Sequence, residues 1–285
     1  MPDGANFPSE TQTVEATSSE SSARTERKER AEDLTRLNAP TVYEVIALDG
    51  VEEMERPVKS LWWSGVAAGF GISISLYIMA ALRVSLDGVP GAAALEKFGY
   101  CFGFLIVVLG RLQLFTENTI TPILPVLHNR SGEAFRCLAR LWIIVLLANL
   151  VGTFLSASLP TIFPIASAAQ MSAVLEISTH FAERSNAEAF FTAIPAGFLV
   201  AAMVWMLPSS KGFEFWTIVA VTYAIAIADT SHVIVGSTEL FTAMLHGEAS
   251  IAKVLAMLAC TGLGNILGGT GLFAVLAYVQ VSEEI

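Results

Sequence analysis

Long apolar runs separated by short polar segments fill the chain from Leu61 onward. A helix needs about 20 predominantly apolar residues to cross a bilayer. Four uninterrupted runs reach that length, at about 61–82, 134–159, 189–207 and 252–278. We therefore predict a transmembrane helix over each of them. The stretch between the second and third of these runs contains prolines and is predicted to be a long loop.

Two further apolar runs are interrupted by polar residues. The first covers about 98–114, breaks at the stretch Phe115–Thr119, and resumes as a short half-helix that ends at His128. The second covers about 215–245 and is broken by Ala228–Glu239, which holds two carboxylates, a histidine, four hydroxyls and a glycine. Non-helical backbone at membrane depth is tolerated only where protein or a water-filled path surrounds it. The two breaks are therefore predicted to form the floor of a transport site.

The two halves of this pattern resemble each other. Gln113–Thr116 matches Glu239–Thr242, and Asn149–Thr153 matches Asn265–Thr270. Each half has three spans, so the second half must enter the membrane from the opposite face. We thus predict an all-α membrane protein with six transmembrane helices in a 3+3 inverted repeat, helices 2 and 5 being broken. The repeated asparagines are expected to bond backbone groups freed at the breaks, whereas simple helix packing explains the glycines equally well.

The region before the first span is acidic. Residues 1–57 carry half of the 26 acidic side chains of a chain whose net charge is −10, which argues against nucleic-acid binding. Residues 1–37 lack apolar periodicity and are expected to be disordered. Thr41–Glu44 has capping-box spacing and predicts a short amphipathic helix or a simple lead-in to the first span. Its expected apolar stripe is Val42, Val45, Ile46 and Leu48. Residues 58–285 are predicted to form the membrane domain.

Three motifs together resemble the formate/nitrite transporter family, with the YfdC-like inner-membrane branch as the nearest part. They are Phe115–Asn118 after Leu114, His232 in the broken fifth run, and Gly264–Gly269. The resemblance covers about residue 61 to the C-terminus. It implies an aquaporin-like protomer, a homopentamer with one pore per subunit, and permeation of small monovalent anions or their weak acids. It also implies the bacterial inner membrane. The distribution of basic residues between loops favours cytoplasmic termini.

The resemblance assigns roles to particular residues. Phe115 and Thr116 would line the constriction, His232 would be the central histidine, and Asn265 the asparagine of the sixth span. Ile225 occupies the position of an aromatic gate in formate channels. The sequence departs from the family there and at two further positions, with Glu117 in place of a glycine and Gln113 in place of an acid.

Polar groups at the breaks have a chemical reason to be there. A bare anion that loses its hydration in an apolar passage is very costly, so a pore must replace water or neutralise the charge. The candidate substitutes for water are the side chains of Thr116, Asn118, Thr119, Thr230 and Ser231. His232 can donate a hydrogen bond or a proton, because histidine changes charge near physiological pH. A purely structural bond at His232 is the alternative.

Four charged residues lie in or beside the breaks, at Arg111, Glu117, Asp229 and Glu239. An unpaired charge inside a membrane is costly, so at least one ion pair is expected among them. The predicted pair is Arg111 with Asp229 or Glu239. It would act as a clamp between the breaks or contact the substrate directly.

Several classes of function stay open at this point. The first is a passive or proton-coupled channel for a small anion. The second is an occluded scaffold or sensor, and the third is permeation of a cation. An enzyme is not expected, because neither a nucleophile–base set nor a metal cluster is visible, and no cofactor is implied.

Overall fold

The computed structural model describes residue 27 and residues 37–285. The chain divides into two compact units, Met1–Asn38 and Ala39–Ile285. The disorder expected for residues 1–37 therefore concerns residues that, apart from 27 and 37, lie outside the described part. All helices that carry the candidate site belong to the second unit.

The second unit is built from α-helices, and no β-strand occurs among the described residues. In chain order the helices are α1 (Ala39–Glu55), α2 (Val58–Ile72), α3 (Ile74–Ser85), α4 (Ala92–Phe98), α5 (Cys101–Leu109), α6 (Ile123–His128), α7 (Gly132–Ile162), α8 (Ala168–Glu183), α9 (Asn186–Met206), α10 (Glu214–Ile227), α11 (Val233–Leu245), α12 (Ile251–Ile266) and α13 (Val275–Val281). A π-helical segment, Leu267–Ala274, joins the last two. A 3₁₀ turn covers Glu117–Thr119.

Five helical segments are long and apolar enough to cross a membrane. They are Val58–Ser85, Ala92–Leu109, Gly132–Ile162, Asn186–Ser209 and Ile251–Val281. Two shorter apolar helices, α10 and α11, lie where the sequence predicts the interrupted run over about 215–245. The interrupted run that begins at about residue 98 is also broken in the structure, because helix α5 ends at Leu109 and helix α6 starts only at Ile123. The chain is therefore an all-helical protein with several membrane-spanning segments.

The prediction of a long loop between the runs at 134–159 and 189–207 is wrong for the centre of that segment. Pro160 lies inside helix α7, and helix α8 fills Ala168–Glu183. Ser167 starts helix α8 with a capping box, in which its hydroxyl accepts from the amide of Gln170 and the Gln170 side chain accepts from the amide of Ser167. This Ser-x-x-Gln spacing was present in the sequence, but the neighbouring prolines suggested irregular structure.

Helix α1 packs along one face against the short half-helix α6. Its buried residues Val42, Tyr43, Ile46 and Gly50 make this face, and the Tyr43 hydroxyl donates to the Leu124 carbonyl at 2.9 Å. The expected apolar stripe is therefore partly wrong. Val45 and Leu48 are 37% and 69% exposed, because they lie on the opposite side of the helix.

Candidate functional site

The two predicted breaks have the same backbone geometry. Arg111 follows helix α5 with φ 53°, and Asp229 follows helix α10 with φ 54°, both in the left-handed region. The amide after each of them donates to the carbonyl five positions earlier, from Leu112 to Val107 at 3.0 Å and from Thr230 to Ile225 at 3.2 Å. This is the hydrogen bond of a Schellman-type helix end. Both helices thus stop in the same way, 118 residues apart.

An asparagine then holds the backbone of the first break. The Asn149 amide donates to the carbonyls of Gly65 and Gln113, each at 2.8 Å. Its oxygen accepts from the amide of Phe115 at 2.9 Å. We call this set of bonds the Asn149 staple. It ties together the first, second and third apolar segments and satisfies buried backbone groups that have no helical partner.

A second asparagine makes the same bonds at the other break. The Asn265 amide donates to the carbonyls of Ala193 (2.8 Å) and Ser231 (3.0 Å). Its oxygen accepts from the amide of Val233 at 2.8 Å. We call this set the Asn265 staple. It starts helix α11 by occupying one of the amides that a helix N-terminus leaves free.

The two staples correct the register of the predicted repeat. They place Gln113 in correspondence with Ser231, whereas the sequence match aligned Gln113 with Glu239. The Leu-Phe-Thr similarity is therefore shifted by eight residues from the structural correspondence. The equivalence of Asn149 and Asn265 holds, because both staples depend on backbone groups rather than on the side chains around them.

Glycines let the stapled helices approach closely. A Cβ atom at Gly152 would lie 2.2 Å from the carbonyl oxygen of Val66, and one at Gly268 would lie 1.9 Å from that of Ile194. Each glycine lies three positions after its staple asparagine. The Asn-x-x-Gly spacing therefore serves both functions that the sequence suggested, a backbone bond and a close crossing.

His232 and Thr116 meet where the two breaks face each other. The His232 Nε2 atom lies 2.7 Å from the Thr116 hydroxyl, and both residues are buried. The Nδ1 atom of His232 accepts the amide of Val235 at 3.2 Å, as the N-cap of helix α11. A nitrogen that accepts an N–H bond carries no proton of its own, so Nε2 holds the hydrogen and donates it to Thr116. In this geometry the imidazole is neutral.

The loop of the first break is fixed by its own polar groups. The Asn118 side chain donates to the Gln113 side chain at 3.1 Å, and its carbonyl accepts from the Trp142 indole at 2.9 Å. The Thr119 hydroxyl donates to the carbonyl of Thr116 at 2.7 Å. Phe115 is buried against the Trp142 ring, with ring centroids 5.8 Å apart. Among the predicted site residues here, Thr116 is therefore the one whose side chain makes a hydrogen bond to the other break.

The second break contains the remaining predicted pore residues. Ser231 is buried and bonds to Arg184 (3.1 Å) and Thr192 (2.7 Å). Thr230 lines a small cavity beside His232. Ile225 is fully buried in the apolar core, where its carbonyl accepts from Thr230. Ile225 therefore lies at the break but away from the cavity.

The predicted ion pair of Arg111 is wrong. The Arg111 side chain is 79% exposed, and the acid it approaches is Asp49, at 3.6 Å. Asp229 pairs instead with Arg184 at 2.6 Å, and Lys97 lies 3.9 Å from its other oxygen. The four predicted charges do not form one network within the described residues. The correspondence of the two staples explains why Arg111 and Asp229 do not pair, because it puts these two residues at equivalent ends of the two breaks.

Three cavities have residues of the breaks in their walls. The acidic cavity, of about 890 Å³, is lined by helix α1 and the first break and contains Glu53 and Glu117. The central cavity, of about 60 Å³, includes His232 and Glu239 in its wall. The charged cavity, of about 810 Å³, shares Lys97, His180 and Asp229 with the central cavity. Leu114, Phe115 and Thr116 are buried and line none of these three cavities.

Glu53 is one of the four acidic residues that helix α1 contributes to the wall of the acidic cavity. Burial raises the pKa of Glu53 from 4.5 to about 7, although the side chains of Gln113 and Thr121 oppose this by hydrogen bonding. The Gln113 amide donates to Glu53 at 3.3 Å. Helix α1 therefore contributes a carboxyl group that changes charge near neutral pH beneath the first break.

Sequence reasoning missed residues of the central cavity. Lys97, Tyr100 and Arg184 were not among the candidates, yet all three line it. Arg184 is the C-cap of helix α8, which was interpreted as loop. Its guanidinium donates hydrogen bonds to the backbone carbonyl and the carboxylate of Asp229 and to the hydroxyl of Ser231, all in the second break. A basic residue in the segment before the fourth span was the available signal.

Hydroxyl contacts join the first half (residues 58–162) to the second half (residues 186–281). We call these contacts the hydroxyl seam. They are Ser73–Thr238 (2.8 Å), Thr153–Ser237 (2.8 Å), Thr116–His232 (2.7 Å), Thr119–Thr270 (2.6 Å) and Ala94–Tyr223 (3.1 Å). Every partner in the seam is an uncharged group.

A family model described as formate/nitrite transporter matches residues 40–279. The chain belongs to the formate/nitrite transporter family. A relative in this family, the inner membrane protein YfdC of Escherichia coli (strain K12), is 36% identical over 279 residues, which cover 95% of this chain and 90% of YfdC. The resemblance inferred from the sequence motifs is thereby confirmed.

Solved structures show the same fold at low identity. One, described as an FNT family ion channel, has a TM-score of 0.72 at 17% identity and covers 85% of this chain and 99% of its own. Another, described as a pentameric formate channel with formate bound, has a TM-score of 0.66 at 20% identity and covers 80% of this chain and 98% of its own. As a member of the formate/nitrite transporter family the chain is a membrane transport protein rather than an enzyme, as the sequence predicted.

Proposed function

We propose that the chain conducts a small monovalent anion of the formate or nitrite kind, or the corresponding undissociated weak acid. The observation that carries this proposal is the buried His232–Thr116 hydrogen bond, which we take to be the closed point of a passage between the acidic and central cavities. The proposed architecture is six spans in a 3+3 inverted repeat with helices 2 and 5 broken. The matched helix ends and matched staples support it.

The proposed substrate class follows from the groups at the closed passage. A dehydrated anion there would need compensation for a large loss of hydration free energy. The N-terminus of helix α11 begins at this point and supplies partial positive charge. His232 and Thr116 supply neutral hydrogen-bonding groups. A weak acid in its uncharged form fits such a passage best, since it needs hydrogen bonds but no countercharge.

The proposal includes a proton link, and the sequence pointed to His232 as its carrier. Protonation of Nδ1 would break the cap that this atom forms with Val235, so the contact favours a neutral imidazole that hydrogen-bonds the passing acid. We expect His232→Asn, which can keep the cap and a donor, to fold and to retain the pH profile of uptake. A flattened pH profile would identify His232 as the proton carrier instead.

Uptake by proteoliposomes tests the proposed function directly. Purified protein is reconstituted, and uptake of formate, nitrite and acetate is measured at two pH values. We expect uptake above that of protein-free vesicles, with a larger rate at the lower pH. The absence of uptake for all three solutes would remove the proposal and favour an occluded scaffold or sensor.

A second candidate is permeation of a cation or neutral solute. The acidic cavity favours it, since Asp49, Glu52, Glu53, Glu55, Glu117 and Glu214 outnumber Arg56, Arg111 and Lys211 in its wall. Uptake of potassium or ammonium that exceeds uptake of formate would support this candidate. The central cavity carries cationic side chains as well as acids, which is why the anion is preferred.

The proposed assembly and location follow the relatives. We take the protein to be a homopentamer of the bacterial inner membrane, with both termini cytoplasmic and residues 1–57 forming a tail before the membrane domain at 58–285. The pentameric formate channel supports the subunit number and the inner membrane protein YfdC supports the location, whereas the side of the termini and the division at residue 57 are proposed from the sequence alone. The mass of the detergent-solubilised complex decides the subunit number, and any stable complex other than five subunits contradicts it.

A further inference from the structure

The central cavity contains two polar groups that the closed passage does not use. Glu239 of helix α11 is 8% exposed and lines the cavity. Tyr100, between helices α4 and α5, is 6% exposed, and its hydroxyl has no hydrogen-bond partner among the described residues. A buried phenol normally finds a partner, so an orphaned one that lines a cavity indicates a ligand or water that it bonds.

The other charged groups of this cavity already have fixed partners. The Arg184 guanidinium donates hydrogen bonds to Asp229 and Ser231. Lys97 lies beside Asp229 as well, at 3.9 Å. His180 and His232 complete the titratable lining. Glu239 is thus the one carboxyl in the described cavity wall that is not held in an ion pair, and a free carboxyl can exchange a proton with a ligand.

We infer that Glu239 is the internal proton donor for the permeating anion, with the Tyr100 hydroxyl positioning that anion. This inference rests on the proposed function. The anion enters from the charged cavity, which shares Lys97 with the central cavity, and accepts a hydrogen bond from Tyr100. The O–H bond of the Glu239 carboxyl breaks and an O–H bond forms on the substrate carboxylate.

The products of this step are a neutral acid and the Glu239 carboxylate. The neutral acid then passes the uncharged His232–Thr116 contact, and hydronium from the charged cavity restores the proton on Glu239. Charge and atoms balance, and one proton accompanies each anion. The step explains how a neutral imidazole and a proton-linked flux can exist in the same pore.

Replacement of Glu239 by glutamine is the direct test, because glutamine keeps the size but carries no exchangeable acidic proton. Full-length protein is reconstituted with a pH-sensitive dye inside the vesicles, and formate is added outside. A positioned proton donor contributes roughly 100-fold or more, so Glu239→Gln should slow formate-driven acidification by about that factor. Glu188→Gln, an exposed acid at the start of helix α9, is the matched control and should behave as wild type.

The possible outcomes separate the inference from the proposed function. Wild-type protein without formate uptake overturns both. Wild-type uptake with an equally fast Glu239→Gln variant overturns only the inference and assigns protonation to bulk water. If Glu239→Gln does not form the wild-type complex, Glu239→Asp replaces it, and this variant must keep the pH profile at a reduced rate. Tyr100→Phe should raise the KM for formate several-fold while one proton still accompanies each anion, and an unchanged KM excludes its positioning role.

Discussion

Removal of the Asn149 side-chain amide is the sharpest test of how the broken helices are held. Asn149→Leu keeps the approximate size but has no hydrogen-bonding atoms. It leaves two buried non-helical groups without their partner, the amide of Phe115 and the carbonyl of Gln113. An orphaned buried group costs about 1–3 kcal/mol, so the two together should lower the free energy of unfolding by about 2–6 kcal/mol.

Thermal melting of the detergent-solubilised complex, followed by size-exclusion chromatography, measures this loss. At roughly 2–4 °C per kcal/mol for a domain of this size, the melting temperature should fall by roughly 5–20 °C. Asn186→Leu is the matched control, because Asn186 is exposed at the start of helix α9. If Asn149→Leu and Asn186→Leu had the same melting temperature, the staple would be dispensable and the reasoning from unsatisfied backbone groups would fail.

Two further predictions concern charged residues around the acidic cavity. Arg111→Gly should leave the melting temperature unchanged or raise it slightly, since relief of left-handed strain is worth about 1 kcal/mol and the exposed contact with Asp49 about 0–1 kcal/mol; a large loss would restore a buried role for Arg111. Glu53 has a folded-state pKa of about 7, above its ordinary 4.5, so its contribution to stability is fully present below about pH 4.5 and is lost as pH rises through 7. Glu53→Gln should therefore match wild type at pH 4 and exceed it by roughly 3 kcal/mol at pH 8, and a parallel pH dependence of the two proteins would contradict this.

The sequence was sufficient to locate the breaks and their supports. A polar stretch inside an apolar run is conspicuous, and a helix is interrupted at both stretches, within Phe115–Thr119 and within Ala228–Glu239. The second interruption is shorter than predicted, because helix α11 already begins at Val233. The repeated Asn-x-x-Gly spacing predicts that Asn149 and Asn265 bond backbone groups at the breaks. These features depend on local composition and on short motifs, which a single sequence displays directly.

The register of the repeat and the charge partners were beyond the same reasoning. The bonds of the two staples make Leu114 correspond to His232. This pairs an apolar with a polar side chain, so the two sequences show no similarity at these positions. Arg184 comes from a helix that was interpreted as loop, so its bond to Asp229 had no basis in the apolar pattern. Partner choice depends on where helix ends meet in space, and this is set by backbone geometry.

The hydroxyl seam and the staples hold different parts of the molecule. Within each half, a staple joins three segments through bonds to buried backbone groups. Across the halves, the five seam contacts are neutral, and each is worth only about 0.5–1.5 kcal/mol net. The contact between Lys97 and Asp229, at 3.9 Å, adds one ionic interaction across the halves. Because a hydroxyl at the seam can exchange its partner for water at small cost, we expect the seam contacts to open more readily than the staples. The seam contact whose opening would separate the two breaks is His232–Thr116.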